Sequence, residues 1–229
     1  MNRQIDREKS VHGEQWGELH GGYFSDPAVA LPFVERVKEL IVEAHADIVV
    51  DLGGGTGFLL SQLAGQGLCK DLALINLDGS DAQLTSAREA GIKCVRALVT
   101  DFCRSDVGPK DKRFFFMMRS VLHYFGKSGL LPVLLHLHSQ AMEGEVFVHQ
   151  TASFKDKGDA ACLTALYRYM QTEKWYPTVS ELENSMSKAG WRLTDVSAAP
   201  ALLLTSDDLA RRYAFAMAAA SAGRETAFY

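Results

Sequence analysis

Val49-Val50-Asp51-Leu52-Gly53-Gly54-Gly55-Thr56-Gly57-Phe58-Leu59 decides the fold of this chain. β-favouring residues run into an acid, four glycines follow within five positions, and an apolar helical pattern begins. That order predicts a strand, a tight turn and a helix start. Glycine has no Cβ, so its backbone can take positive φ and lie against a ligand. The turn also aims the free N–H groups of a helix N-terminus at whatever sits there. A small, partly anionic metabolite suits such a cradle.

Around this centre the chain alternates. Pro27 to Ala44 places Ala30, Phe33, Val34, Val37, Leu40, Ile41 and Ala44 at a helical period, with Ser25 or Asp26 as cap. Strands are predicted at Ile48–Leu52, Leu72–Leu77, Lys93–Val99, Phe114–Met118 and Glu145–Gln150. Helices are predicted after Gly57, over Ala82–Ala90, over Leu130–Ala141 with Pro132 in its first turn, over 159–173 and over Ser180–Ala189. Trp191–Val196 and Ala201–Leu204 are close enough to form an antiparallel hairpin, and an alanine-rich helix is predicted from Asp207 to about Ala220. Strands alternating with helices imply an α/β fold with a parallel sheet covered on both faces. With the hairpin added, the expectation is a Rossmann-like, doubly wound, seven-stranded, mostly parallel sheet with an antiparallel edge. One domain spans 1–229: a cap or lid over 1–26, a core over 27–206, and a C-terminal helix and tail over 207–229.

The bulk numbers exclude several classes. At 229 residues, 47% hydrophobic and 23% charged, the chain has the composition of an ordinary globular domain. Its 24 basic and 28 acidic residues leave a net charge of −4, which argues against gripping nucleic-acid phosphates. The four cysteines form no close pair, so zinc and redox motifs are unsupported. No apolar run approaches the roughly 20 residues a bilayer needs, and no secretory signal is visible, so a cytoplasmic location is expected.

The glycine register selects the ligand class. A dinucleotide loop needs G-x-G-x-x-G. Counting from Gly53 and Gly55, the third place holds Phe58; from Gly55 and Gly57 it holds Leu60. The stretch also lacks the lysine of a phosphate-gripping P-loop. What stands is Asp51-x-Gly53-x-Gly55-x-Gly57.

This run resembles motif I of the class I S-adenosylmethionine-dependent methyltransferases. Asp78 resembles their acid ending the second strand, Asp101-Phe102 their pair after the third, and Arg119-Ser120-Val121-Leu122-His123-Tyr124-Phe125 the segment after the fourth in the small-molecule members. Those members include quinone-biosynthesis methyltransferases and O-methyltransferases. Thr178 to Trp191 resembles the last helix, which leads to the edge hairpin. The resemblance covers roughly 27–206.

It implies S-adenosylmethionine as cofactor, S-adenosylhomocysteine as product, and a small-molecule acceptor methylated on oxygen or carbon. Asp78 would bind the ribose diol, or else simply cap the next helix. Asp101 would reach the adenine amino group, and Phe102 or Leu77 would line its ring. Asp51 with Gly53, Gly54, Gly55 and Gly57 would cradle the methionine end, flanked by Arg119 and Ser120. His123 is the candidate general base, a neutral imidazole near pH 7; the alternative is a histidine that shapes the pocket. Trp16, His20, Tyr23, Tyr124 and Tyr176 are candidate pocket aromatics. No metal is implied, and no Asn/Asp-Pro-Pro-Tyr stands after strand four. A non-catalytic module binding S-adenosylmethionine or S-adenosylhomocysteine, and a nucleotide-cofactor oxidoreductase, stay open as alternatives, because fold does not fix function. Acceptor identity and oligomeric state are open.

Overall fold

The computed structural model describes residues 22–67, 72–170, 172–202, 205 and 207. In chain order the elements are α1 (Pro27–Glu43), β1 (Ile48–Leu52), α2 (Phe58–Gly65), β2 (Ala73–Asp78), α3 (Asp81–Glu89), β3 (Lys93–Arg96), α4 (Arg104–Val107), β4 (Phe114–Arg119), a 3-10 turn (Leu122–Phe125), α5 (Gly126–Gln140), β5 (Val146–Gln150), α6 (Lys157–Tyr169) and α7 (Val179–Lys188). Local chemistry sets several boundaries. Asp26 Oδ1 accepts from Ala28 N–H, and Pro27 fills the first turn of α1. Thr178 and Glu181 form a capping box at the start of α7.

The five strands form one all-parallel sheet in the order β3-β2-β1-β4-β5. Both faces are covered, which explains why β4 is an unbroken apolar run. Phe115 and Met117 face the α1 and α2 side, packed on Val34, Val37, Leu60 and Leu63. Phe114, Phe116 and Met118 face the other, against Leu130, Leu134 and Leu137 of α5 and Leu182 and Met186 of α7. Burial of each such phenylalanine contributes about 1.5–3 kcal/mol.

From β1 the chain builds outward to β2 and β3, then returns to place β4 on the opposite flank of β1. That reversal opens a crevice at the carboxyl ends of β1 and β4. The glycine turn leaves from one of those ends and the His123 segment from the other.

Two expectations are corrected. The sheet has five strands, not seven, and no antiparallel hairpin forms among the described residues. Residues 191–202 hold no strand. Leu193 and Val196 are 45% and 56% exposed, so residues 192–199 bury no apolar face. Trp191 turns inward, its Nε1–H donating to Leu134 O at 3.2 Å. Ala201 and Leu202 are also outside any strand, and Leu203 and Leu204, the rest of the expected second hairpin strand, lie outside the described residues. The second correction concerns α5. It starts at Gly126, four residues before the expected Leu130, which puts Pro132 inside the helix. Gly126 makes the early start possible: its φ is +64°, and a Cβ there would come within 2.8 Å of Glu173 O. The cap over 1–21, with Trp16 and His20, and the tail helix beyond Asp207 lie outside the described residues.

Candidate active site

Between β1 and α2, Gly53, Gly55 and Gly57 take φ of +73°, +56° and +75°, a left-handed conformation at alternate positions that side-chain-bearing residues rarely adopt. Gly54 is needed for a different reason. A Cβ there would collide with Asn76 Oδ1 and lie 2.5 Å from Asp51 Cγ. The turn is therefore pressed down onto two polar side chains at the ends of β1 and β2.

Hydrogen bonds from β2 hold it there. Gly53 N–H donates to Leu77 O at 2.7 Å. Gly55 N–H donates to Asp78 Oδ2 at 3.0 Å, and Asn76 Nδ2–H donates to Gly55 O at 2.7 Å. Ser80 N–H donates to Asp78 Oδ1 at 2.7 Å. The helix-capping alternative for Asp78 is thus partly realised, because Ser80 precedes α3. Each of these bonds uses one lone pair of its oxygen, and a carboxylate has about four acceptor sites.

Asp51 lies directly beneath. It is 1% exposed, and neither carboxylate oxygen has a hydrogen-bond partner. Burial, with a smaller push from the Asp78 carboxylate, lifts its pKa to about 8, against the pull of Arg119. Asn76, fully buried, is its register partner on β2, and its Oδ1 also lacks a donor. Asn76 was not anticipated from the sequence. Its signal was a polar residue inside the apolar run Leu74-Ile75-Asn76-Leu77.

The β4 side completes the crevice. Val121 lies over the turn: its Cγ2 would be 2.8 Å from a Cβ on Gly53. Ser120 sits at φ +59°, its N–H donating to Gln150 O at 2.8 Å. Arg119 Nε–H donates to Gln150 Oε1 at 2.9 Å. Its guanidinium also reaches the carbonyls of Phe24 and Tyr23 at 3.4 and 3.5 Å and lies over both rings. Burial lowers the Arg119 pKa and raises that of Tyr23. Arg119 thus joins the strand end to the segment before α1. Tyr23 Oη–H donates to Pro200 O at 2.7 Å, tying in the 191–202 stretch.

Two residues beyond Val121, the ring of His123 is 9% exposed. It lies 4.2 Å from the Tyr124 ring and stacks on Tyr176 at 5.3 Å with 14° between planes. Tyr176 packs in turn on Tyr167, and the Lys174 ammonium stands 4.5 Å from the Tyr124 ring centre. The structure therefore brings His123, Tyr124 and Tyr176 into one aromatic cluster, next to the glycine turn through Val121.

The third group of expected residues is dispersed. Leu77 and Phe102 are 0% and 1% exposed within the core, and Phe102 packs on Phe116 and His136. Asp101 is exposed at a turn where its N–H and that of Phe102 both donate to Leu98 O. Leu98 meets Gly79, next to Asp78, so this turn borders the same sheet edge. At the end of β5, burial lowers the pKa of His149 to about 4, and its Nδ1 pairs with Thr151 Oγ1 at 3.0 Å. Among the described residues no three His, Cys, Asp or Glu side chains cluster as a metal site, and no helix is long and apolar enough to cross a membrane.

Sheet order and the acid–glycine turn give the chain the fold of the class I S-adenosylmethionine-dependent methyltransferases. Solved structures with that fold align with 73–88% of it. An O-methyltransferase family protein from Burkholderia thailandensis is 20% identical, with 84% of this chain and 59% of that one covered at a TM-score of 0.61. Human N-acetylserotonin methyltransferase, solved with S-adenosylmethionine, is 16% identical over 88% of this chain and 63% of its own, TM-score 0.55. An O-methyltransferase from neocarzinostatin biosynthesis, solved with S-adenosylmethionine and 2-hydroxy-5-methyl naphthoic acid, is 21% identical over 73% of this chain and 54% of its own, TM-score 0.51. The chain thus spans less than two thirds of the length of these three proteins. No protein-family model and no curated protein sequence matches it.

Proposed function

We propose that this chain transfers a methyl group from S-adenosylmethionine to an oxygen or carbon nucleophile of a small-molecule acceptor. One observation carries the reading: under a turn of left-handed glycines, Asp51 holds two buried, unpartnered carboxylate oxygens beside the Asp78 carboxylate. Buried acceptors without donors call for a cationic or donor-bearing ligand. S-adenosylmethionine fits, with an ammonium for the Asp51 side and a ribose diol for Asp78. A phosphorylated cofactor fits poorly, because two acids face the turn.

Asp51, Gly53, Gly54, Gly55 and Gly57 would hold the methionine end, with Arg119 and Ser120 beside it. Asp78 would take the ribose, and Leu77, Asp101 and Phe102 the adenine side. Bound there, the cofactor supplies an electrophilic methyl group on a positively charged sulfur. The protein's own task is to orient the acceptor, exclude water and manage one proton; orientation alone is worth up to about 7–11 kcal/mol of barrier. His123 takes that proton at an imidazole nitrogen as the acceptor's hydroxyl or enol becomes a nucleophile. Tyr124 and Tyr176 shape the imidazole's surroundings, and Tyr23 closes the crevice from the Arg119 side. The 2-hydroxy-5-methyl naphthoic acid bound beside S-adenosylmethionine in the O-methyltransferase from neocarzinostatin biosynthesis supports a planar hydroxylated substrate here.

Mass spectrometry of a panel of phenols, hydroxynaphthoates and enolisable ketones, each incubated with S-adenosylmethionine, tests the reading. The expected result is an acceptor heavier by one methyl replacing hydrogen, with equimolar S-adenosylhomocysteine. His123→Gln is expected to lower kcat on that acceptor by about 10²–10⁴-fold. Binding of S-adenosylmethionine with no acceptor turned over would overturn the enzyme assignment in favour of a binding module.

A further inference from the structure

We propose that Asn76 is a positioning residue of the donor site: it shares one proton with Asp51 in the free protein, and arrival of the donor's ammonium expels that proton. The inference rests on the donor-site reading above. It stands first on geometry. Asp51 and Asn76 occupy the same register on adjacent parallel strands. A single point, the place of a Cβ on Gly54, is in contact with Asn76 Oδ1 and within 2.5 Å of Asp51 Oδ2. Both side chains are at most 1% exposed.

The orientation of the Asn76 amide is fixed. Its Nδ2–H donates to Gly55 O at 2.7 Å, and a flipped amide would set oxygen against that carbonyl oxygen. Oδ1 must therefore face the Asp51 side. Three buried acceptor atoms are then left without a donor: Asp51 Oδ1, Asp51 Oδ2 and Asn76 Oδ1, the last two meeting at the Gly54 position. A proton on Asp51 resolves this, because a carboxylic acid donates one hydrogen bond where a carboxylate only accepts. Asp51 O–H then donates to Asn76 Oδ1, and Asn76 passes the constraint to the Gly55 carbonyl of the turn. Burial acts in the same direction, as does Asp78 from the end of β2; Arg119 from β4 opposes, itself committed to Gln150 and the Tyr23 and Phe24 carbonyls.

An ammonium entering the site supplies the missing donors. Asp51 gives its proton to solvent and becomes the carboxylate partner of the cation. No bond other than this O–H changes. Binding is then linked to pH. Below the free-protein pKa, affinity tightens with rising pH, and a proton leaves as the ligand binds.

The experiment is calorimetric titration of S-adenosylhomocysteine into the full chain, in two buffers of different ionisation enthalpy, across pH 6 to 8. Asp51→Asn, which mimics the protonated acid, and Asn76→Asp are run alongside. The ligand's own amine ionises alike in every protein, so differences between them isolate the pair. The wild type is expected to release close to one proton near pH 7, and Asp51→Asn none, with a flat pH profile. Asn76→Asp puts two acids around one proton and is expected to move the wild-type profile to higher pH; a merely structural Asn76 would leave it in place. Binding with no proton released by the wild type overturns the inference and leaves the donor site standing. Absence of any binding overturns both. If one variant fails to fold, comparison of the wild type with the other decides.

Discussion

Both carboxylate oxygens of Asp51 are buried without a hydrogen-bond partner, and the residue's stability signature follows from that. Its folded pKa, about 8, stands above the ordinary aspartate value near 4, so protonation favours the folded state. Its contribution is complete below about pH 4 and is lost as pH rises towards about 8. Asp51→Asn cannot ionise and is expected to raise the melting temperature at pH 8 by several degrees, with little effect near pH 4. Thermal unfolding at the two pH values checks this. Gly54 gives a second prediction at this scale. Gly54→Ala drives a methyl into Asn76 Oδ1 and Asp51, so the turn must lift off β2. Donor affinity is expected to fall at least about tenfold, which corresponds to about 1.4 kcal/mol.

At the scale of elements, the end of the sheet opposite the site carries its own fastening. Arg104 of α4 donates to both oxygens of Glu145, just before β5, at 2.6 and 2.7 Å, and to the carbonyls of Lys112 and Gln140. Glu145 Oε1 also accepts from Phe114 N–H. The pair is 10% and 2% exposed, so neither charge has water as a substitute partner. Arg104→Met strands the Glu145 carboxylate and is expected to cost about 3–5 kcal/mol in urea denaturation; removing both charges with Glu145→Gln should recover part of it. Elements were largely legible because their signals are local. Alternating apolar runs, Asp26-Pro27 and the Thr178–Glu181 box each act within a turn of chain. The hairpin was misread because proximity in sequence suggested pairing, while Leu193 and Val196 stay exposed and bury no apolar face. In the candidate site, the glycine turn after Asp51 was legible from motif spacing, and Asp78 at the end of β2 from the resemblance. The Asn76 contact was not, because it depends on how β1 and β2 come into register, which no single segment encodes.

Across the whole molecule, Arg119 connects the crevice to two distant parts of the chain. It holds the Tyr23–Phe24 carbonyls, and Tyr23 holds Pro200. Arg36 of α1 adds an exposed contact to Asp195 at 3.7 Å. Tyr23→Phe removes one hydrogen bond, a loss of about 1 kcal/mol. Amide exchange over 191–202 is expected to quicken while that of β1 and β4 stays unchanged. The same connectivity places residues 22–26 beside the proposed donor site. The proposed donor site is the feature from which every other assignment follows, and one measurement tests it most directly. Calorimetric titration of the wild type and Asp78→Ala with S-adenosylmethionine and, separately, with NAD is predicted to show S-adenosylmethionine binding in the wild type, its weakening by about tenfold or more in the variant, and no NAD binding. Binding of NAD without S-adenosylmethionine, or S-adenosylmethionine affinity unmoved by Asp78→Ala, would contradict the account.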